Sequence, residues 1–256
     1  MALPMRCSCL LWQGITGSST YGKGTDCDFA DLVAELDSIE GDFWLSFMTS
    51  HPKDASRKLI DVMAASRHVA RRFHLPLQSG NDRVLKAMNR HYDMEKYLDT
   101  VRYMRERMPD VVLTSDIIVG FPGETEEEFE DTLKALETVR FDMLYSFIYS
   151  PRKGTPAAEW EQVPDVVKGN RFDRLLATQN AISAEKNLPM EGRTVRVLCD
   201  GESKGNAAVY SGRTEGGKIV FFHGAPSMIG TFVHIRIDRT EAFALWGEAV
   251  PPCGEA

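Results

Sequence analysis

The stretch VVLTSDIIVGFPGETEEEFEDTL, residues 111–133, decides the fold. Its first half is almost continuously apolar, the pattern of a central parallel strand covered by helices. Its second half opens a helix. Thr125-Glu126-Glu127-Glu128 is a capping box in which hydroxyl and carboxylate satisfy free amides while the glutamates complement the helix dipole, and Phe129, Leu133, Leu136 and Val139 form the inward face. A buried strand running straight into a capped amphipathic helix is the repeating piece of an α/β protein.

The same alternation extends on both sides. Upstream, Asp28 is placed to cap a helix with Phe29, Leu32, Val33, Leu36 and Ile39 on one face, followed by a strand FWLSFMTSHP at 43–52. A second helix reads from Ser56 to Arg71 with Leu59, Ile60 and Met63 inward, leading into the strand RFHLPLQSG that ends at Gly80. The helical region from Asn81 to Met108 is interrupted near Asn89–Asp93 and holds Tyr97, Leu98, Val101 and Met104 at helical spacing. Downstream, MLYSFIYSPRKGTP at 143–156 reads as another strand, and a long helix runs from Pro164 to Asn187. With CLLWQGI as the first, five strand-to-helix units are expected.

After Pro189 and Gly192 the period changes. TVRVLCDG, AAVYSGRT, GKIVFFHG and TFVHIRIDRT are short alternating strands with Gly-rich turns, the pattern of a small β-barrel. The boundary is expected near residue 190.

Composition excludes several classes. The chain has 256 residues, 43% hydrophobic, without an uncharged apolar run of membrane-spanning length or a secretory leader, so a cytoplasmic protein without a membrane partner is the default. A net charge of −7 argues against a chain that coats nucleic acid over its whole surface and leaves room for a local basic patch. The cysteines, Cys7, Cys9, Cys27, Cys199 and Cys253, are odd in number and scattered, which fits reduced thiols. Cys7 and Cys9 invite a cluster reading, but no third cysteine is near, and residues two apart in a strand simply share a face. No G-x-S-x-G, H-E-x-x-H or Walker loop occurs.

In a parallel barrel the site lies at the carboxyl ends of the strands, here TSHP, PLQSG, SDIIVGFPGET and FIYSPRKGT. Asp116, inside an apolar strand, needs a partner: it either caps a neighbouring loop or faces a ligand. The Gly120–Thr125 turn either caps the helix or lets a ligand approach the backbone. Gln78 suits a ribose hydroxyl or an adenine edge, or braces its loop. Arg90 can grip a carboxylate or stay solvated. His51, before a proline, reads as loop-shaping, and His74 as a satisfied core histidine.

Four segments, SHPKD at 50–54, HLPLQSGNDRVLKAMNR at 74–90, TSDIIVGFPGETEEEFEDTL at 114–133 and FIYSPRKGTPAAEW at 147–160, together closely resemble the radical S-adenosylmethionine methylthiotransferases. Within them they look most like the enzymes that convert isopentenyl-adenosine beside the tRNA anticodon to its 2-methylthio form. The terminal β-rich segment is similar to the TRAM domain of those enzymes. The resemblance implies an α/β fold, an incomplete radical-SAM partial (β/α)6 barrel over 1–189, then a small OB-like TRAM barrel over 190–250 and a tail at 251–256.

It also implies S-adenosylmethionine as cofactor, contacted by Gln78, Arg90 and Asp116, lined by Ser50 and Gly120, and flanked at its adenine by Ile148 and Tyr149. It implies tRNA, through the anticodon stem-loop, as partner, with Arg193, Arg196, Lys204, Arg213, Lys218 and Arg236 toward RNA, and no DNA. Phe221, Phe222 and His223 could stack on bases, but at strand spacing at least one must be core. The family's [4Fe-4S] clusters and electron donor accompany that chemistry. The cluster's C-x3-C-x2-C motif does not occur in this sequence. CLLWQGITGSSTYGKG aligns with the family's second barrel strand, which places the first strand and its cluster loop upstream of Met1. The expectation is therefore a catalytically incomplete methylthiotransferase. Competing readings are a non-catalytic tRNA-binding or partner-dependent protein, and methylthio transfer to a ribosomal-protein aspartate or another tRNA adenosine.

Overall fold

A computed structural model describes residues 21, 26–48, 51–203 and 206–251. The chain divides into two compact units, one of Met48–Ile60 and Phe73–Ser183, the other of Met1–Phe47, Asp61–Arg72 and Ala184–Ala256. Among the described residues no helix is long and apolar enough to cross a membrane.

In chain order the elements are α1 (Phe29–Asp37), α2 (Arg57–Ala65), β1 (Arg72–His74), α3 (Asp82–Ala87), α4 (Met94–Arg107), β2 (Val112–Val119), α5 (Glu126–Val139), β3 (Met143–Ile148) and α6 (Asp165–Asn187). The remainder is β: β4 (Thr194–Ser203), β5 (Asn206–Thr214), β6 (Ile219–His223), β7 (Phe232–Thr240) and β8 (Leu245–Val250).

The α/β part is built on a three-stranded sheet of order β1-β2-β3, with β2 and β3 parallel and Asp116 opposite Tyr145. Helix boundaries follow local chemistry. Asn81 caps α3, which ends where Asn89 takes a left-handed conformation (φ 58°), and Asp93 then caps α4, so the interruption expected at 89–93 is two helices meeting at a turn. Tyr97, Val101 and Met104 are buried from α4, and the Tyr97 hydroxyl donates to the Leu75 carbonyl at 2.7 Å. The capping box at Thr125–Glu128 starts α5, and Phe129, Leu136 and Val139 lie in the core.

Strand expectations need correction. Among the described residues of 43–52 there is no strand: Leu45 makes one isolated bridge to Val69, and Pro52–Asp54 is a 3-10 turn. The helix expected to Arg71 stops at Ala65, because the Ser66 hydroxyl takes the Val69 amide and Asp37 takes the His68 amide, leaving that segment free to bridge Leu45. RFHLPLQSG is regular strand only at its first three residues; Pro76 has no N–H to donate, and pairing resumes as a single bridge between Gln78 and Ile117. Strand β2 alternates where uniform burial was expected: Leu113, Ser115, Ile117 and Val119 are buried, while Thr114, Asp116 and Ile118 lie on a half-open face. The CLLWQGI strand, with Cys7 and Cys9, lies outside the described residues.

The β part is a closed barrel of order β4-β5-β6-β8-β7. Val197, Cys199, Tyr210, Val220, Phe222, Ile235, Ile237 and Leu245 fill it, so Phe222 is the core member of the Phe221-Phe222-His223 run. The closing strand β8 escaped the sequence reading. It contains Gly247, where a Cβ would stand 2.0 Å from the Arg236 carbonyl oxygen, so close approach to β7 demands a residue with poor strand propensity. In the same unit α1 starts from a capping box between Asp28 and Asp31, Trp44 meets Phe232 edge-on at 4.7 Å, and Asp42 holds the Arg196 guanidinium. Of the expected α1 face, Phe29 and Val33 are buried, while Ile39 lies past the helix end and is exposed.

Candidate functional site

The half-open face of β2 and the loops leaving the carboxyl ends of the strands bring several polar side chains together. Gln78 holds a left-handed backbone (φ 72°), a conformation that costs a non-glycine residue on the order of 1 kcal/mol. It is fixed there by its N–H to the Asp116 carbonyl at 2.8 Å and by the Ile118 N–H to its own carbonyl at 3.0 Å. The residue is buried, yet its side-chain amide has no hydrogen bond among the described residues.

Arg90 sits just past α3, anchored by its backbone N–H to the Leu85 carbonyl at 2.9 Å. Its Nε is buried without a partner, and its guanidinium forms no ion pair among the described residues. An unsatisfied buried donor costs about 1–3 kcal/mol, so this one is satisfied only when an acceptor arrives.

The Asp116 carboxylate does not cap a loop. It lies 3.5 Å from His74 Nε2 with its side chain 28% exposed, while His74 Nδ1 meets the Thr114 hydroxyl at 2.9 Å and the ring packs edge-on against Tyr145 at 5.7 Å. His74 is thus more than a satisfied core histidine. Tyr92 completes the group: its hydroxyl donates to the Leu77 and Pro76 carbonyls, and its ring meets His51 at 5.4 Å. Burial pushes the Tyr92 hydroxyl up to about 12, with the Arg90 charge opposing and the Asp116 charge adding to that shift. His51 shapes its turn, its Nδ1 accepting the Lys53 amide at 3.2 Å; burial pushes its imidazole pKa down, and the charges of Lys53 and Arg90 push it further.

Gly120 has an internal reason to be glycine. It adopts φ 73°, a Cβ there would stand 2.5 Å from Lys168 Cγ, and its N–H donates to Glu124 Oε2 at 2.9 Å. Glu124 in turn pairs with Arg171 of α6 at 3.0 Å, both side chains being almost wholly buried. Burial raises the Glu124 carboxyl, opposed by the Gly120 amide and Arg171. The turn is therefore clamped to α6 rather than left open. Ile148 is exposed at the end of β3, and Tyr149 packs edge-on against Phe121 at 5.1 Å. Ser50 lies outside the described residues.

The cations expected to face RNA are spread over the barrel unit, and most are engaged within the chain. Arg196 is held by Asp42 and lies 3.7 Å over the Phe232 ring; Arg213 pairs with Asp200, Arg236 with Asp238 and Glu248, and Lys218 Nζ donates to Asn187 Oδ1. Arg193 is exposed and has no side-chain partner among the described residues, and Lys204 lies outside them. Sequence reasoning missed His74 as the partner of Asp116 and Tyr92 as a buried hydroxyl on which the charges of Asp116 and Arg90 both act. The one available signal was the two-residue spacing of Thr114 and Asp116, which puts both on one face.

The donor set fits S-adenosylmethionine: an unpaired guanidinium for its carboxylate, a free amide for ribose, a carboxylate for a polar group, and exposed apolar surface at Ile148 for a base. Among the described residues no group of three or more His, Cys, Asp or Glu could hold a metal, and Cys27 and Cys199 lie on the surface and inside the barrel respectively.

Comparison with known proteins follows the same division. Residues 16–136 match the radical SAM superfamily and residues 189–250 match the TRAM domain. The chain is 49% identical over 244 residues to the tRNA-2-methylthio-N(6)-dimethylallyladenosine synthase of Acetivibrio thermocellus, covering 94% of this chain and 50% of that protein. It is 46% identical to the synthase of the same name from Desulforamulus reducens, covering 94% and 53%. The chain therefore spans about half the length of the relatives it matches. Among solved structures, coproporphyrinogen III oxidase from Escherichia coli superposes with a TM-score of 0.48 and 16% identity, over 81% of this chain and 52% of that one.

Proposed function

The chain belongs to the radical SAM methylthiotransferase family that carries a terminal TRAM domain, and on that premise we propose that it serves 2-methylthio formation on N6-isopentenyladenosine beside the tRNA anticodon. Its part in that reaction is to hold S-adenosylmethionine at the strand ends and tRNA through the TRAM segment at 190–250, with 1–189 as the radical-SAM part. The observation that carries the reading is that Gln78, whose side-chain amide is unbonded, is tied by its backbone to Asp116, while the charges of Asp116 and of Arg90, whose Nε is unpartnered, both act on Tyr92.

In this reading Arg90 takes the cofactor's carboxylate, Gln78 a ribose hydroxyl, and Asp116, steadied by His74, a remaining polar group. Ile148 and Tyr149 flank the adenine. Once bound, S-adenosylmethionine supplies the adenosyl and methyl groups on which methylthio transfer draws. Tyr92, whose hydroxyl is held on the Leu77 and Pro76 carbonyls, stays protonated at neutral pH, because burial pushes it up to about 12.

The test is calorimetric titration of the purified chain with S-adenosylmethionine, alongside D116N and Q78A. Saturable binding weakened in both variants supports the reading, and an unmodified wild-type isotherm without heat overturns it. Gel-shift with an anticodon stem-loop carrying isopentenyladenosine tests the RNA half.

A further inference from the structure

Charge is distributed unevenly over this acidic chain. On the barrel, Arg196, Arg213, Arg236 and Arg239 each face a carboxylate, and on the helices so do Arg57, Arg83, Lys96, Lys134, Lys168, Arg171 and Arg174. The loops at the carboxyl ends of the sheet differ. Arg152 and Lys153, adjacent in the loop after β3, are both exposed and form no ion pair among the described residues. The acids nearest in sequence, Glu159 and Glu161, do not pair with them. Lys53 and Arg90, on two other strand-end loops, are likewise without ion pairs, and their charges are felt together at His51.

The loop is built to present those charges. Thr155 donates both its N–H and its hydroxyl to the Arg152 carbonyl, at 3.1 and 2.8 Å, and Gly154 turns the chain at φ 86°. Behind it runs an aromatic series: Tyr149 on Phe121, and Phe121 edge-on to Trp160 at 5.9 Å. Trp160 is 43% exposed, and its carbonyl accepts from Gln162 Nε2 at 2.8 Å, which fixes the backbone that carries the ring. Adjacent cations without ion pairs and, a few residues on in the same segment, an anchored, exposed indole are the elements that grip an unpaired nucleic-acid strand: cations on phosphates, an aromatic face under a base.

Resting on the tRNA reading above, we propose that the Arg152–Thr155 loop with Trp160 is an RNA-docking edge of the α/β unit, in which Arg152 and Lys153 hold phosphates and Trp160 stacks on an unpaired base. The RNA is thereby gripped at the rim of the cofactor site itself, in addition to any hold by the barrel. No comparison assigns RNA contacts to this loop.

The experiment is fluorescence anisotropy of a labelled RNA hairpin with an unpaired loop, titrated with the full chain at low salt. R152A/K153A is expected to weaken binding about tenfold or more through two lost phosphate contacts. W160A is expected to weaken it about fivefold or more through lost stacking. K86A removes an exposed lysine of α3 that lies outside the Arg152–Thr155 loop and has no ion pair among the described residues, and is expected to bind as wild type. Wild-type affinity in R152A/K153A overturns the proposal while leaving the tRNA reading intact, whereas absence of RNA binding by the wild-type chain overturns that reading itself. Displacement of the hairpin by polyglutamate of equal charge would assign the loop to acidic peptides and overturn the RNA assignment. Melting temperatures accompany each variant; should the alanine pair unfold, R152Q decides by the same criterion.

Discussion

Arg90 carries a cost in the ligand-free chain that its removal would lift. Its Nε is buried and unpartnered, so R90A is expected to leave the melting temperature unchanged or slightly raised. The same variant should weaken S-adenosylmethionine binding by about ten- to a hundredfold, since a hydrogen bond to a charged group contributes about 1.5–3 kcal/mol. Calorimetry and thermal melts on one preparation check both signs, and a variant that loses stability and affinity together would make Arg90 a structural residue. His74 acts one step removed, through its 3.5 Å approach to Asp116. H74L is expected to cost only a few-fold in affinity, and a loss as large as that of D116N would count against the indirect role. In the sequence Arg90 and Gln78 were each readable two ways. What the structure adds is burial without a partner and a left-handed backbone, properties set by residues far away in the chain.

At the scale of elements, helices were legible and strands much less so. The Thr125–Glu128 box, the Asn81 and Asp93 caps and the apolar faces of α4 and α5 depend on residues within one or two turns, so the sequence displays them directly. Strand status depends on the partner. Residues 43–52 look like a strand, yet their described part makes one bridge, whereas β8, not picked out as a strand by its pattern, closes the barrel because Gly247 lets it approach β7. G247A is accordingly expected to destabilise the chain by about 1–3 kcal/mol, read as a lower denaturation midpoint, because the added methyl meets a backbone oxygen that cannot step aside. The α5 cap has a pH signature. Glu128 is held below its ordinary value of 4.5, chiefly by its hydrogen bond from Arg83, so the folded state favours the ionised form. That stability is fully present above the ordinary value and is lost as pH falls through the depressed one. E128Q should therefore be less stable at neutral pH and show a flatter acid-unfolding profile below about pH 5; parallel profiles for variant and wild type would remove Glu128 from the acid response.

For the whole molecule the question is how a chain of net charge −7 would hold the proposed polyanion. The net charge gives no overall attraction, so affinity has to come from local groups of cations. On the barrel most candidates are committed: Arg196 beneath Asp42, Arg213 at Asp200, Arg236 between Asp238 and Glu248. Among the described residues, exposed cations without an ion pair include Lys53, Arg152 and Lys153 at the strand ends and Arg193 on the barrel unit, and the docking edge proposed above draws on the first three. Counterion release turns that count into a measurable slope, because each phosphate contact with a single strand contributes roughly 0.7 to the fall of log affinity with log salt. Three contacts predict a slope of about −2 for the wild-type chain, and removing Arg152 and Lys153 should bring it to about −0.7. If the barrel cations exchanged their carboxylates for phosphates, the wild-type slope would be steeper, about −4 or beyond, and nearly insensitive to the loop variant. Anisotropy titrations across a series of potassium chloride concentrations separate the two cases. The shallow slope would mean that the RNA is held at the mouth of the cofactor site, where a reacting base has to be presented.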